Sequence, residues 1–67
     1  MSYMRQAVAT IEEPNGHLRY ASLSVYLYNG ASMVDIEDIV EMAVRMAQIE
    51  AGEGAVINIE WMEEEEL

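Results

Sequence analysis

The sequence predicts a small α+β domain with the element order β-β-α-β, in which one helix packs on one face of a three-stranded, mainly antiparallel sheet. Three observations lead to this prediction. Two stretches with strand-like alternation flank the turn signal Glu-Pro-Asn-Gly at 13–16. Residues 33–51 carry apolar side chains at helical spacing, and residues 55–62 return to alternation. We find no linker or repeat, so residues 1–62 are expected to form a single domain.

Residues 3–12 and 18–28 are predicted to pair as a β-hairpin. In the turn between them, Pro presets one backbone position, and Asn-Gly tolerates left-handed ones. The second strand separates two sets of side chains. One face carries Ala21, Leu23, Val25 and Leu27, and the other carries Tyr20, Ser22, Ser24, Tyr26 and Tyr28.

The helix is predicted to begin after Ser32, a good N-cap residue, with Asp35 three positions later to complete the cap. Its apolar side, which we expect to face the sheet, comprises Ile36, Ile39, Val40, Ala43, Met46 and Ala47. Its polar side comprises Glu37, Asp38, Glu41, Arg45 and Gln48. Gly52 follows the last helical residue, where a glycine commonly ends a helix.

In the third strand, Ile57, Ile59 and Trp61 are predicted to share one face, against Asn58 and Glu60 on the other. We expect the first strand in the middle of the sheet, which makes the sheet antiparallel throughout. Residues 63–67 form an acidic tail, and a run of like charges is normally solvated and disordered.

The charge balance limits the possible partners. Thirteen Asp and Glu oppose three Lys and Arg, which gives a formal net charge of −10 on 67 residues. Nucleic-acid affinity comes mainly from Lys and Arg, so direct nucleic-acid or anionic-membrane binding is not expected, and a cationic protein partner is favoured. No signal peptide or apolar run long enough to span a bilayer stands out, so we expect a cytoplasmic protein.

The sequence lacks the residues that catalysis or metal binding would need. The chain has no Cys, and its one histidine, His17, lies in the predicted hairpin turn, away from Ser22 and Ser24. The acidic helix does not match the calcium-loop spacing, and a helix turns its side chains outward rather than around an ion. We therefore expect a protein that is not an enzyme, with no catalytic, metal or cofactor site.

Tyr20, Tyr26 and Tyr28 lie on a sheet face that nothing else in the sequence can cover. Aromatic side chains of this kind are enriched at protein interfaces, and a chain this small and apolar often shares its core with a second copy. We therefore expect a homodimer through these tyrosines. A base-stacking platform is the alternative, which the scarcity of cations disfavours, because only Arg19 is nearby in the sequence.

The stretch SMVDIEDIVEM at 32–42 supplies the second candidate surface. Glu37, Asp38 and Glu41, with Asp35 at the helix entrance, occupy neighbouring positions about 5–6 Å apart. This distance is close to the separation of successive phosphates along one DNA strand, about 6–7 Å. A helix carrying such a row can enter a groove built for DNA, whereas the plainer interpretation is the solvated side of an amphipathic helix. In addition, Met33, Met42 and Ile49 broaden the apolar stripe beyond what a three-stranded sheet requires.

The acidity, the β-β-α-β order, the tyrosines and the Ser-x-x-Asp-[aromatic]-Glu pattern together resemble the small dimeric bacteriophage inhibitors of uracil-DNA glycosylase. Ser32, Asp35 and Glu37 match that pattern, with Ile36 in the aromatic place. The resemblance implies a dimer in which carboxylates imitate DNA phosphates and an apolar cavity traps a residue of the enzyme, inside an infected bacterial host. It gives Glu37 the leading phosphate-mimicking role and gives Ile36 and Val40 the apolar contact.

The partner-binding residues expected on these grounds are Asp35, Ile36, Glu37, Asp38, Val40 and Glu41. The expected partner is a cationic nucleic-acid-binding protein. Two alternatives stay open at the level of the sequence. One is an anti-CRISPR inhibitor of a Cas effector, which shares the same gross features. The other is a dimeric adaptor protein that inhibits nothing.

Overall fold

The computed structural model describes residues 2–28 and 33–67, and for residues 33–35 it describes the backbone alone. The elements are β1 (Tyr3–Glu12), β2 (Leu18–Leu27), α1 (Met33–Ala51), β3 (Ala55–Trp61) and β4 (Glu65–Glu66). The strands are antiparallel in the order β2-β1-β3, and β4 also pairs with β1. The predicted α+β class and the central position of the first strand are confirmed. Ser32, the predicted N-cap, lies outside the described residues.

The hairpin turn forms where the Pro-Asn-Gly signal predicts it. The amide of Gly16 donates to the carbonyl oxygen of Glu13 at 2.8 Å, and the backbone φ of Gly16 is 87°, in the left-handed region. The Asn15 side-chain oxygen accepts a hydrogen bond from the amide of His17 at 3.0 Å. These bonds set the register in which Glu12 lies opposite Leu18, and the pairing continues to Tyr3 opposite Leu27.

The core lies between the sheet and α1 and is small. The buried side chains are Ala7, Ala9, Ile11, Leu27 and Val56. Val44 of the helix packs against the cluster of Ala9, Ile11 and Val56. Two of the buried residues, Ala7 and Ala9, are small alanines of the central strand. The same alanines contribute little buried apolar area, so the single chain buries little surface for its length.

A β-bulge in β3 changes which side chain enters the core. Thr10 lies opposite Asn58, but the next residue of β1, Ile11, lies opposite Val56, so Ile57 is the extra residue. Val56 is consequently 8% exposed and Ile57 is 53% exposed. The predicted alternation, which groups Ile57 with Ile59 and Trp61, is therefore wrong at Ile57, because simple alternation does not anticipate the extra residue.

Gly54 permits the close approach with which β3 begins. Its φ is 119°, a conformation that L side chains rarely adopt. A Cβ atom at this position would overlap the Glu12 carbonyl and would lie 2.9 Å from the Cα atom of Glu13. The third strand can therefore meet the end of β1 only because residue 54 has no side chain.

The helix is turned away from its expected orientation. Its half-buried residues, which include the side toward the sheet, are Ile36, Glu37, Val40, Glu41, Val44 and Gln48. The side chains expected to be buried but found exposed are Ile39, Ala43, Met46 and Ala47. That part of the prediction is wrong. The sheet presents the Arg5 guanidinium and the Trp61 indole N–H toward α1, and these donors require acceptors from the helix.

The end of the helix is as predicted. Gly52 has a φ of 69°, and its amide donates to the carbonyl oxygen of Ile49 at 3.1 Å.

The acidic C-terminus pairs with the sheet, which corrects the expectation of a disordered tail. Glu65 lies opposite Met4 and Glu66 opposite Tyr3, and the amide of Leu67 donates to the carbonyl oxygen of Ser2 at 2.9 Å. The physical reason is the length of β1. It has ten residues but pairs with β3 only from Ala7 to Glu12, so its first residues leave backbone groups for another strand to satisfy.

The molecule is long and thin. Its principal extents are 43 × 18 × 14 Å, and its radius of gyration is 13.2 Å, whereas a compact chain of this length has about 11 Å. In the described part of the chain, no element covers the sheet face opposite α1. The helix that the structure describes is not long and apolar enough to cross a membrane.

Candidate binding surfaces

Arg5 joins the three elements at one end of the domain. Its Nε donates to the carbonyl oxygen of Met62 at 2.7 Å, which holds the chain where β3 ends. Its Nη1 lies 3.5 Å from Oε1 of Glu37 on the helix. The guanidinium carbon lies 5.5 Å from the centroid of the Trp61 ring, a distance at which a cation–π attraction operates. Arg5 therefore positions both the helix and the chain that leads into β4.

Two of the proposed phosphate mimics are occupied within this cluster. Glu37 faces Arg5, and its side chain is only 31% exposed. Glu41 accepts a hydrogen bond from the indole nitrogen of Trp61 at 3.1 Å through Oε1. A carboxylate that already has an internal partner gains less from an external cation, because the first contact must be shared or broken. These two residues serve the domain's own packing.

The six predicted partner-binding residues do not form one exposed row. Ile36, Glu37, Val40 and Glu41 are half-buried. Asp38 is exposed, while the side chain of Asp35 lies outside the described residues. The structure thus brings Glu37 and Glu41 together with Arg5 and Trp61, and it leaves Asp38 on a different side of the helix.

All three arginines contact acceptors of their own chain. Besides Arg5, Arg45 Nη1 donates to the carbonyl oxygen of Val56 at 2.8 Å. Arg19 lies 3.9 Å from a carboxylate oxygen of Glu53, and the two side chains are 38% and 70% exposed. The positive charge is therefore spread over three separate sites and makes no basic patch in the described part of the chain.

A further set of carboxylates, close to the Arg5 cluster, is free to face a partner. We name Glu60 and Glu63–Glu66 the acidic end; all five residues are exposed. Glu65 shares the open sheet face with Met4, and Glu66 shares the helix face with Tyr3. Because adjacent residues of a strand point to opposite faces, Glu65 and Glu66 present negative charge on both faces of the sheet. Sequence reasoning missed this surface because it treated 63–67 as disordered, although the excess length of the first strand was a signal.

The tyrosines lie where the alternation predicts them. Tyr20, Tyr26 and Tyr28 are 68%, 53% and 59% exposed. Tyr26 lies opposite Met4, and Tyr20 lies opposite Thr10. Arg19 belongs to the other face, opposite Ile11. Among the described residues, the tyrosine face therefore has no arginine to neutralise a nucleic-acid backbone.

Groups for catalysis are not assembled in the described residues. His17 is exposed in the hairpin turn. Across residues 2–28 and 33–67, no three His, Cys, Asp or Glu side chains are grouped so that they could hold a metal ion. The surfaces that distinguish this molecule are thus the acidic end, the tyrosine face and the exposed side of α1.

The chain matches no family model, no curated protein and no solved structure.

Arg5→Gln is expected to lower the free energy of unfolding by about 1–2 kcal/mol, because it removes a charge-assisted hydrogen bond, an ion pair and a cation–π contact, all partly exposed. Arg19→Gln is the matched control, and we expect it to cost less than about 0.5 kcal/mol because its ion pair is exposed. Urea unfolding followed by the fluorescence of Trp61, the only tryptophan, measures both. Equal effects of the two changes would show that Arg5 does not organise this end of the domain.

Proposed function

We propose that the protein is a non-catalytic DNA mimic that blocks the nucleic-acid-binding groove of a cationic enzyme, with uracil-DNA glycosylase as the target. The observation that carries the proposal is the acidic end. It comprises five exposed carboxylates: Glu60 belongs to β3, Glu65 and Glu66 form β4, and Glu63 and Glu64 lie between these two strands, both of which pair with β1.

The acidic end differs from a solvated run of charged residues because strand pairing orders its backbone. A disordered acidic tail loses conformational entropy when it binds, which reduces its affinity. Pairing of Glu65 and Glu66 with Met4 and Tyr3 fixes the backbone in advance. Carboxylates on a fixed backbone can meet Lys, Arg and backbone N–H groups that otherwise bind phosphates.

The net charge of −10 acts over a longer range. An acidic molecule of this size is attracted to a basic groove, and the attraction accelerates association at low ionic strength. Because the arginines already contact internal acceptors, they add no local attraction for phosphate. The charge distribution therefore favours a cationic protein over nucleic acid as the partner.

The structure changes the roles that we propose within the acidic helix. Glu37 and Glu41 hold Arg5 and Trp61, and thus support the acidic end from behind. We assign the direct phosphate-mimicking role to the acidic end, together with Asp38, which is an exposed carboxylate of the helix. Ile36 and Val40 act mainly in packing between helix and sheet.

The same surface suits other nucleic-acid grooves, and inhibition of a Cas effector is the closest alternative target. A dimeric adaptor without an inhibitory role is favoured by a different observation, the exposed tyrosine face. The two classes differ in what charge reversal does, since an adaptor that works through Tyr20 and Tyr26 tolerates changes at the acidic end.

A uracil-release assay tests the proposal. Purified glycosylase acts on uracil-containing DNA, and the protein is added from below to above the enzyme concentration. We expect release to stop near equimolar protein at low salt and to recover partly as salt rises, because screening weakens contacts between exposed charges. Undiminished release at a clear molar excess would contradict the named target.

A further inference from the structure

One side of α1 is apolar and faces away from the domain. Ile39, Met42, Met46 and Ile49, which we name the apolar stripe, are 66%, 67%, 53% and 63% exposed. Their spacing along the chain is three, four and three residues, which is the repeat of a two-helix seam. Val44 occupies the opposite side of the helix and packs into the core. The apolar stripe therefore points directly away from the sheet on which α1 packs.

The shape of the stripe suits a second helix. A shallow concavity of about 410 Å³ is lined by Asp38, Ile39, Met42, Ala43 and Met46. Ala43 is small and stands among larger side chains, so it forms a hole that can receive a side chain from another helix. Methionine side chains on both sides of it adapt their shape to what packs against them.

The exposed area also indicates that this face is incomplete in the single chain. The accessible surface is 4671 Å², while a compact monomer of this mass exposes about 4,300 Å². Among the residues whose burial the structure describes, five are buried, and two of these are alanine. The thinnest dimension of the molecule is 14 Å. A partner that packs on the apolar stripe adds a further layer to this thin molecule. It also removes the four exposed side chains of the stripe from water.

The chain itself is the partner that best fits this surface. A chain that buries so little apolar surface needs a companion whenever it is folded, and a second copy is always present. The stripe is also self-complementary, since a two-fold axis places the same seam on both sides. Among the helical residues whose side chains the structure describes, only Asp38, Arg45 and Glu50 are charged next to the stripe. Two chains of charge −10 can therefore meet here with most carboxylates outside the contact.

We propose that a second copy of this chain docks on the apolar stripe, so that two helices pack between two outer sheets. This interface differs from the tyrosine interface expected from the sequence, and it leaves the acidic end and the tyrosine face of both copies free. The proposal does not depend on the proposed function, because a dimer of this form needs no target enzyme.

Sedimentation equilibrium over a range of concentrations tests the interface. We expect a mass of twice the 7.6 kDa of one chain. Met42→Lys combined with Met46→Lys is expected to raise the dimer dissociation constant at least tenfold. Tyr20→Lys combined with Tyr26→Lys adds the same charge to the tyrosine face and is expected to leave a dimer. Circular dichroism verifies that both variants remain folded.

Cysteine cross-linking gives an answer even when the lysine variant unfolds, because the natural chain has no cysteine. We expect a disulfide dimer from Met42→Cys alone when the helices are parallel, or from Met42→Cys mixed with Met46→Cys when they are antiparallel. Tyr26→Cys is expected to stay uncross-linked. Both stripe outcomes support the interface. A monomeric natural chain at all concentrations, or cross-linking through Tyr26→Cys alone, would overturn it.

The salt response separates this dimer from the complex with a target. Salt screens the repulsion between two acidic chains, so the dimer dissociation constant is expected to fall as salt rises. A complex with a cationic groove is expected to weaken over the same range. A dimer that dissociates at higher salt would contradict an apolar contact between like-charged copies.

Discussion

Ile11→Ala is expected to lower the free energy of unfolding by about 2–4 kcal/mol, the cost of emptying a buried isoleucine site. Ile11 is 3% exposed and belongs to the cluster with Ala9 and Val56. The neighbouring alanines cannot move to fill the cavity. A chain of this size has little stability in reserve, so a large part of the population is expected to be unfolded at room temperature. Thermal unfolding followed by circular dichroism measures the change.

Ile57→Ala is the matched control, since it removes the same atoms from a residue that is 53% exposed. We expect it to cost less than about 1 kcal/mol, because little apolar area is lost from the core. Simple alternation, which groups Ile57 with Ile59 and Trp61, does not anticipate this small cost. A larger cost at Ile57 than at Ile11 would contradict the bulge and the register of β3.

Glu65→Gln combined with Glu66→Gln is expected to weaken binding to the target at least about tenfold at low salt, equivalent to about 1.4 kcal/mol. The change keeps the shape and the strand pairing but removes two charges from the acidic end. Neutral amides make hydrogen bonds roughly half as strong as those of carboxylates with Lys and Arg. Titration calorimetry of the natural and the altered chain against the glycosylase gives both affinities.

Glu12→Gln combined with Glu13→Gln is the control with the same change in net charge. These residues lie at the other end of β1, by the hairpin turn. We expect them to weaken binding less than about threefold, through the loss of long-range attraction alone. Equal losses in the two variants would indicate that net charge acts without a defined contact, and would argue against phosphate mimicry by the acidic end.

The parts of the fold that local chemistry dictates were predictable. Pro14 and Gly16 fix the turn, and the alternation in 18–28 fixes which residues share a face with the tyrosines. The helix ends at Gly52 because a left-handed glycine is available there. These features depend on a few adjacent residues, so the sequence alone defines them.

The parts that depend on distant partners were not predictable. The orientation of α1 follows from Arg5 and Trp61, which come from other strands and require the acceptors Glu37 and Glu41. The most apolar side of the helix was expected in the core, and the dimer that we propose accounts for its position outside. The bulge at Ile57 and the pairing of β4 likewise depend on register along β1, which composition does not record.

The candidate site, like the fold, was predictable from the sequence only in part. The acidity and the tyrosines were evident in the sequence, but the acidic residues available to a partner were not. Charge alone favoured the helix, whereas internal hydrogen bonds occupy Glu37 and Glu41 and leave the acidic end exposed.

Displacement of DNA from the glycosylase tests the central claim most directly. A fluorescent uracil-containing oligonucleotide is bound to the enzyme, and its anisotropy is followed as the protein is added. Phosphate mimicry predicts that the anisotropy falls to the value of free DNA, with mutually exclusive binding, and that more protein is needed as salt rises. Anisotropy that stays at the bound value while the protein is in excess would contradict occupation of the DNA groove.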